Sequence, residues 1–566
     1  MTRKNTKQQS FIIIALAGIL AGCSGGKVFK HPQPLPPDTR PIPEPKSRHI
    51  NIAEDAFDRQ FVEQVEQSFD LSRQFRNLSG QPKQALNVNA MDEADNSSWF
   101  TNRNFMQKMT LEKIANGPNQ GDGPDKQGPW TVIGAKTEGV TPGFSIKDSK
   151  GTRFLLKFDP PGYSEMATGA ELVSTKLFYG AGYNVPQNYL VFFDPEILKM
   201  GEGVLFTDAR GEKRAMTRED LAAILKRIEI QPDGRIRAVA SKFIEGKLKG
   251  PFRYKGTRDD DPNDIVPHQH RRELRGLRVI ASWLNHFDTK ANNSLDVYTK
   301  QKYIKHYLID FGSTLGSNGD EPMPPEIGYE NSFDPHEVGL NLLSLGFYVR
   351  PYEKNWKVEY PSIGYFRADL FEPQEYKFIQ PNPAFELMTD RDGYWGAKIV
   401  MSFTDEQIRT AIKQGQYSNP EAADYLFRVI KERRDLIGRY WFKKMNPLDK
   451  FEILDGDDGT QLFCFGDLAI EYGLATEEQS SYRYRLLQNG KMVSPAHELQ
   501  GATCIQLTQL TASDTRKSGG SGEDQWAIAL ETRREGKNKW SKRVTVYFVQ
   551  DESSGKFKIH GVKREE

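Results

Sequence analysis

Near the middle of this 566-residue chain, side chains able to move protons and hold a cation are closely spaced. Asp288, Lys290 and Asn293 share the stretch Asn285-His286-Phe287-Asp288-Thr289-Lys290-Ala291-Asn292-Asn293, and another carboxylate follows in Ile309-Asp310-Phe311-Gly312. Phosphoryl transfer needs such a set: a carboxylate to accept the nucleophile's proton, and an Asn and an Asp to hold Mg²⁺ on the phosphates. The plainer alternative is that Asp288 and Asn293 only shape a surface turn, as Asp and Asn often do. Tyr307-Leu308-Ile309 is an apolar run suited to a strand leading into the second loop.

Written as H-x-D-x-K-x-x-N and then D-F-G, these residues resemble the catalytic loop and metal loop of protein kinases, where the Asn likewise stands five residues after the Asp. The resemblance is to the kinase-like superfamily, nearer its atypical bacterial branches (HipA-type and spore-coat-type kinases), and it spans residues 125–445. It implies Asp288 as base, Lys290 as a neutraliser of the transferred phosphoryl, and Asn293 and Asp310 as metal ligands. The implied substrate is ATP, with Mg²⁺ or Mn²⁺. No A-P-E sequence follows Gly312, and residues 313–325 are rich in Gly and Pro, so regulation by a phosphorylated loop is not implied.

Other elements must place a cation on the phosphates. Residues 151–159 read as a strand in which Leu155 and Lys157 share one face and Phe154, Leu156 and Phe158 the other. Residues 164–179 read as a helix with Ser164 as N-cap. Glu171, in its middle, is the expected partner of Lys157, with Glu165 in reserve. Upstream, residues 133–146 carry three glycines, of which Gly139 and Gly143 are placed near the nucleotide phosphates, because glycine removes the Cβ obstacle. Residues 235–246 read as a strand entering a hinge, whose backbone near Phe243 and Glu245 would meet the adenine edge.

The N-terminus bears on location. Arg3, Lys4 and Lys7 precede a short apolar core, Phe11 to Leu20, and Leu20-Ala21-Gly22-Cys23 resembles the lipobox of bacterial lipoproteins. An apolar core this short reads as a signal peptide (residues 1–22) rather than a retained span. The resemblance implies acylation of Cys23 (palmitate among the chains) and anchoring to a lipid bilayer. Ser24 after the cysteine suggests outer-membrane sorting, with the body facing the periplasm or the exterior. Cys464 and Cys504 are the two cysteines left, either a disulfide or a pair of buried thiols.

Residues 23–50 read as a Pro-rich, semi-rigid linker. Residues 51–124 read as a helical extension and loop, with Phe57, Phe61, Val62, Val65, Phe69, Leu71 and Phe75 on the face that packs on the body. The small lobe is placed at 125–246 and the large lobe at 247–446. Residues 447–566 carry alternating apolar strands split by turn signals and read as a β-sandwich-like domain. The fold class is therefore α+β: a two-lobed protein-kinase-like fold with a C-terminal β domain.

A formal net charge of +1 gives no sign of a nucleic-acid partner. His268, His270, His286 and His306 fall close together but lack zinc-type spacing, so hydrogen-bonding roles are favoured. Arg271, Arg275 and Arg278 share a helix face that either meets an acidic group or forms a salt-bridged surface. Two functions follow: a membrane-anchored, extracytoplasmic phosphotransferase acting on a protein, glycan or small molecule (AMP transfer included), or a pseudokinase-like scaffold of the cell envelope. The second is motivated by the absence of an ATP supply outside the cytoplasm.

Overall fold

The computed structural model of the chain describes residues 28–136, 143–207, 213–345, 347–354, 356–457, 459–499, 501–507, 525–551 and 553–566. Cys23, the signal segment and Gly139 lie outside the described residues. The chain divides into two compact units. The larger holds residues 34–88 and 93–444; the smaller holds residues up to 33, 89–92 and 445–566.

The larger unit opens with short helices α1 (Ile52–Phe57), α2 (Glu63–Phe69), α3 (Leu71–Leu78) and α4 (Leu111–Asn116). Strands β1 (Trp130–Lys136), β2 (Gly143–Lys147) and β3 (Arg153–Phe158) follow, then helix α5 (Met166–Ala181). Next come β4 (Asn188–Phe193), β5 (Leu198–Met200), β6 (Leu205–Thr207), β7 (Lys213–Ala215), α6 (Arg218–Leu225) and β8 (Ile236–Lys242). One sheet takes the order β4-β8-β3-β2-β1-β5, antiparallel except for the parallel β1–β5 pair. Its buried face is an apolar cluster that includes Phe144, Phe154, Leu156, Phe158 and Ala240. The alternation of β3 leaves Lys157 on the other face, where α5 lies.

Ser164 does not cap α5. The residue before the helix is Glu165, in the left-handed region at φ 72°. Asp159 supplies the cap instead, accepting from the Thr168 amide at 2.9 Å and its hydroxyl at 2.7 Å. Ser164 Oγ accepts from Gln231 at 3.0 Å.

The rest of this unit is mostly helical. A small sheet of β9 (Lys247–Gly250), β10 (Ser294–Tyr298) and β11 (Ile304–Leu308) sits among α7 (Arg272–Trp283), α8 (Pro335–Leu343), α9 (Pro383–Glu386), α10 (Asp390–Met401), α11 (Asp405–Lys413) and α12 (Pro420–Lys444). Thr404 and Gln407 form the capping box that opens α11. On α7, Arg271 pairs with Asp264 and Glu273, and Arg272 and Arg275 with Asp392, so this is a buried charge network and not a surface.

The Pro-rich segment is not a free spacer. Ile42 is buried, its amide donates to Lys302 O at 2.7 Å, and Arg48 pairs with buried Asp296 at 2.8 Å. Backbone without internal partners has been drawn onto the β9–β10–β11 sheet by these polar contacts. The expected packing of the extension also differs. Phe57, Phe61, Val62, Val65, Phe69, Leu71 and Phe75 are exposed, whereas charged Arg59 is the buried residue.

The smaller unit is all but purely β. Strands β12 (Leu448–Asp455), β13 (Gln461–Asp467) and β17 (Cys504–Gln506) form one sheet. The second contains β14 (Ser480–Gln488), β15 (Lys491–Met492), β16 (His497–Leu499), β18 (Trp526–Arg534), β19 (Val544–Gln550) and β20 (Phe557–Arg564). Phe463, Phe465 and Ile505 of the first sheet share a core with Tyr482, Ile528, Leu530, Val546 and Phe548 of the second, as in a sandwich. Phe29 stacks on Tyr547 with ring centres 4.6 Å apart, an addition that strand patterning did not signal.

Cys464 and Cys504 face each other on β13 and β17 and are joined as a disulfide that closes a separation of 40 residues. Chain-entropy arguments value a loop of that length at roughly 3–4 kcal/mol. Reduction, or Cys464→Ser with Cys504→Ser, is expected to lower the melting midpoint of the β unit. Calorimetry with and without reductant checks this; an unchanged transition would contradict it.

Candidate active site

The site begins with a part-buried cation. Lys157 Nζ lies 2.9 Å from Glu171 Oε2 and 2.9 Å from Asp310 Oδ1, so β3, α5 and the loop after β11 meet at one ammonium. Burial alone would pull its proton off, but Asp310 and Glu171 more than offset that and raise its pKa above the ordinary lysine value. Glu171 is itself held. Asn188 Nδ2, at the start of β4, donates to Glu171 Oε1 at 2.8 Å and reaches Thr175 Oγ1 at 2.8 Å. Asn188 was not anticipated; no local pattern links an Asn to a helix residue 17 positions earlier.

Glu165, the reserve partner, is elsewhere: its carboxylate accepts from the Ser418 amide at 3.0–3.1 Å. Gly143 opens β2 directly opposite Lys157 in the register, so its backbone adjoins the cation-bearing strand. At the expected hinge, the Phe243 amide already donates to Arg153 O at 3.0 Å and is not available to an adenine edge. The antiparallel β3–β8 pairing runs one residue further than expected. Glu245 is an exposed carboxylate 3.0 Å from Lys300 and does not join the cluster.

The second group of residues lies on the loop between α7 and β10. Lys290 Nζ pairs with Asp288 Oδ2 at 2.7 Å, and Asn293 Nδ2 donates to Asp288 O at 2.7 Å, which ties the loop into a compact turn. The β10–β11 register then brings the two motifs side by side. Ser294 pairs with Leu308, and Ile309 N–H donates to Asn293 O at 3.0 Å, so Asp310 follows a residue bonded to Asn293.

Asp310 has φ 66°, a left-handed conformation uncommon for a residue with a Cβ and concentrated at functional sites. Phe311 anchors it. Its fully buried ring stacks on Phe178 of α5 at 4.8 Å and lies 5.6 Å from the His286 ring. Gly312 follows beside the pair: a Cβ there would make only ordinary contact, 3.6 Å from Glu171 Oε2. His286 is buried; burial pushes its pKa down to about 4 against the pull of Asp288 and Asp310, so the ring is neutral. Its role is packing between the two loops.

From the extension, buried Arg59 donates to Pro381 O at 2.7 Å and reaches Thr289 O at 3.5 Å, touching the loop beside Asp288. His268 and His306 bond Asp264 and Asp296, each at 2.7 Å. Among the described residues no group of three or more His, Cys, Asp or Glu side chains is arranged to hold a metal. Asp310 and Asn293 nonetheless offer hard oxygen donors. Asp310 keeps 43% of its side chain exposed, and no described residue donates to Asn293 Oδ1. Two such donors plus substrate phosphates suit Mg²⁺ or Mn²⁺.

Solved structures similar to this chain include two of one protein. One is the "crystal structure of the Golgi casein kinase with Mn/ADP bound", at 9% identity over 72% of this chain and 94% of that one, TM-score 0.28. The other is the "Crystal structure of the golgi casein kinase", at 10% identity over 73% and 95%, TM-score 0.26. Both neighbours are kinases. No protein-family model and no curated protein matches. The chain's own residues therefore have to carry the functional reading.

Glu171→Ala strips a buried carboxylate from a part-buried ammonium and is expected to cost about 3 kcal/mol in denaturant unfolding. Lys157→Met with Glu171→Leu, which removes the charge pair together, is expected to cost less than that single change. On the same helix, Lys176 is buried against Asn116 O at 2.8 Å, and burial lowers its pKa from 10.5 to about 7. Below pH 7 it is charged both folded and unfolded and its full desolvation cost opposes folding. That cost falls as pH rises from 7 toward 10.5. Lys176→Met is therefore expected to raise the melting midpoint more at pH 7 than at pH 10, and a gain that grows with pH would refute it.

Proposed function

We propose that this chain is an ATP-dependent phosphotransferase of atypical kinase-like type. The observation that carries the reading is the Lys157 ammonium held between Glu171 of a helix and Asp310 of the D-F-G loop, with Asp288 bonded to Asn293 and the Asn293 backbone oxygen bonded to Ile309, next to Asp310. Lys157 sits where it can neutralise nucleotide phosphates, and Glu171, set by Asn188, keeps it extended toward them. Asp288 Oδ2, released from Lys290, accepts the acceptor hydroxyl's proton as the oxygen attacks the γ-phosphorus and ADP leaves. Lys290 then faces the transferred phosphoryl. Asp310 and the Asn293 amide oxygen would hold Mg²⁺ or Mn²⁺, which when bound draws charge from the phosphate oxygens.

The acceptor is a protein, glycan or small-molecule hydroxyl. The place of action we propose is outside the cytoplasm, on a bilayer reached through acylated Cys23. The sequence around that cysteine and the Cys464–Cys504 disulfide, which persists in oxidising compartments, support that location.

The deciding experiment incubates the full chain with γ-labelled or α-labelled ATP plus Mg²⁺ or Mn²⁺. Label from the γ-position that falls about a hundredfold or more in Asp288→Asn and in Asp310→Ala is expected. Label from the α-position would instead mean AMP transfer. No labelling together with no nucleotide binding would overturn the enzyme reading in favour of the scaffold.

A further inference from the structure

A second concentration of charge lies away from the active site. The end of the extension brings Arg73 and Arg76 of α3 together with Lys83, Gln269, His270 and Glu386 around a cavity of about 320 Å³. Two carboxylates border it, and both are engaged locally: Asp70 Oδ1 accepts from the Arg73 amide at 2.9 Å, and Glu386 Oε2 from Gln64 Nε2 at 3.1 Å. The Arg73 guanidinium bonds the Gln67 side chain and, at 3.0 Å, the backbone oxygen of Glu386. Among the described residues, none of Arg73, Arg76 and Lys83 is ion-paired.

The His270 ring shows that this charge is unbalanced. Its Nδ1 lies 2.8 Å from Arg275 Nη2 and its Nε2 lies 3.0 Å from Lys83 Nζ. A guanidinium has only donors and keeps its proton, so Nδ1 must accept. The imidazole proton then sits on Nε2 and faces the Lys83 ammonium, donor against donor. Arg275 brings no spare negative charge, because Asp392, 3.1 Å away, is shared with Arg272. Burial first, then Lys83, Arg275 and Arg76, hold His270 down at about 4 against the pull of Asp392; burial, then Arg275 and Arg76, lower Lys83 against the pull of Asp70. An anion in the cavity would take the Nε2–H and the ammonium protons together and relieve every one of these repulsions.

We propose that this cavity binds a phosphate monoester through Lys83, Arg76 and His270 Nε2–H. The cavity exceeds one tetrahedral anion, leaving room for the group that carries it. That carrier is a soluble molecule or a lipid headgroup; Phe69, Leu71, Phe75 and Leu78, exposed on the same helices, are why the lipid belongs in the test.

Titration calorimetry of the full chain with inorganic phosphate tests the soluble source. Co-sedimentation with phosphatidylcholine vesicles containing phosphatidic acid, against vesicles with equal phosphatidylglycerol, tests the lipid one. Saturable binding to at least one probe is expected, weakened about tenfold or more in both Arg76→Gln and Lys83→Gln. Circular dichroism confirms that these part-exposed changes leave the fold intact. Preference for phosphatidic acid identifies a lipid, and phosphate binding without vesicle binding a soluble ester. No binding to either probe, or wild-type affinity in either variant, overturns the proposal. ATP labelling by these variants is a separate readout, so failure here leaves the phosphotransferase reading untouched.

Discussion

An ammonium drawn largely out of water needs carboxylates beside it, and the larger unit is arranged around that constraint. Lys157 is fixed by β3, in the interior of a six-stranded sheet, and cannot move toward water without breaking register with β2 and β8. Glu171 and Asp310 must therefore be delivered, one by α5 and the other by the loop after β11. Each delivery has its own support: Asp159 starts the helix, Asn188 aims Glu171, and the Phe311–Phe178 stack holds the loop against the helix. Moving α5 would move Glu171 and Phe311's seat at once. Helix position and loop conformation are thus one variable.

How far this was legible in the sequence depends on the range of the interaction. Asp288, Asn293 and Asp310 announce themselves because their spacing is fixed within one loop and one hairpin. The Lys157–Glu171 pair was readable because strand alternation gives the face of Lys157, and Glu171 sits mid-helix. Asn188 was invisible because its contact arises from sheet order, which places β4 beside β8 far from its neighbours in sequence. Ser164 was misread for a related reason: a cap can come from a strand end, here Asp159, whenever the connecting turn folds back. Phe243 was misread because the β3–β8 pairing continued past the expected strand end and consumed its amide.

The N-terminal region shows the weakness of composition as a guide. Prolines suggested a stand-off spacer, yet extended backbone also binds well along an existing sheet, and Arg48 with buried Asp296 settles which of the two occurs. The apolar residues of the extension suggested inward packing. Helical spacing identifies a stripe but not its orientation, and here the polar face is turned inward through Arg59, Gln64 and Arg73. Those polar contacts tie the extension to the Asp288 loop at Thr289 and to α9 at Glu386.

That inward polar face links the two charged features of the unit. Arg59 reaches the oxygen of Thr289, between Asp288 and Lys290, while Arg73 and Arg76, on a helix of the same extension, line the cationic cavity. The two lie on one stretch of chain that is broken at Asp70, between α2 and α3. Filling the cavity would neutralise the repulsion that now opposes close packing of α3 on the body, and would firm the seat of the extension as a whole. Arg59 bonds only a backbone oxygen at Thr289, so it fixes the geometry of that loop and not the charge of Asp288.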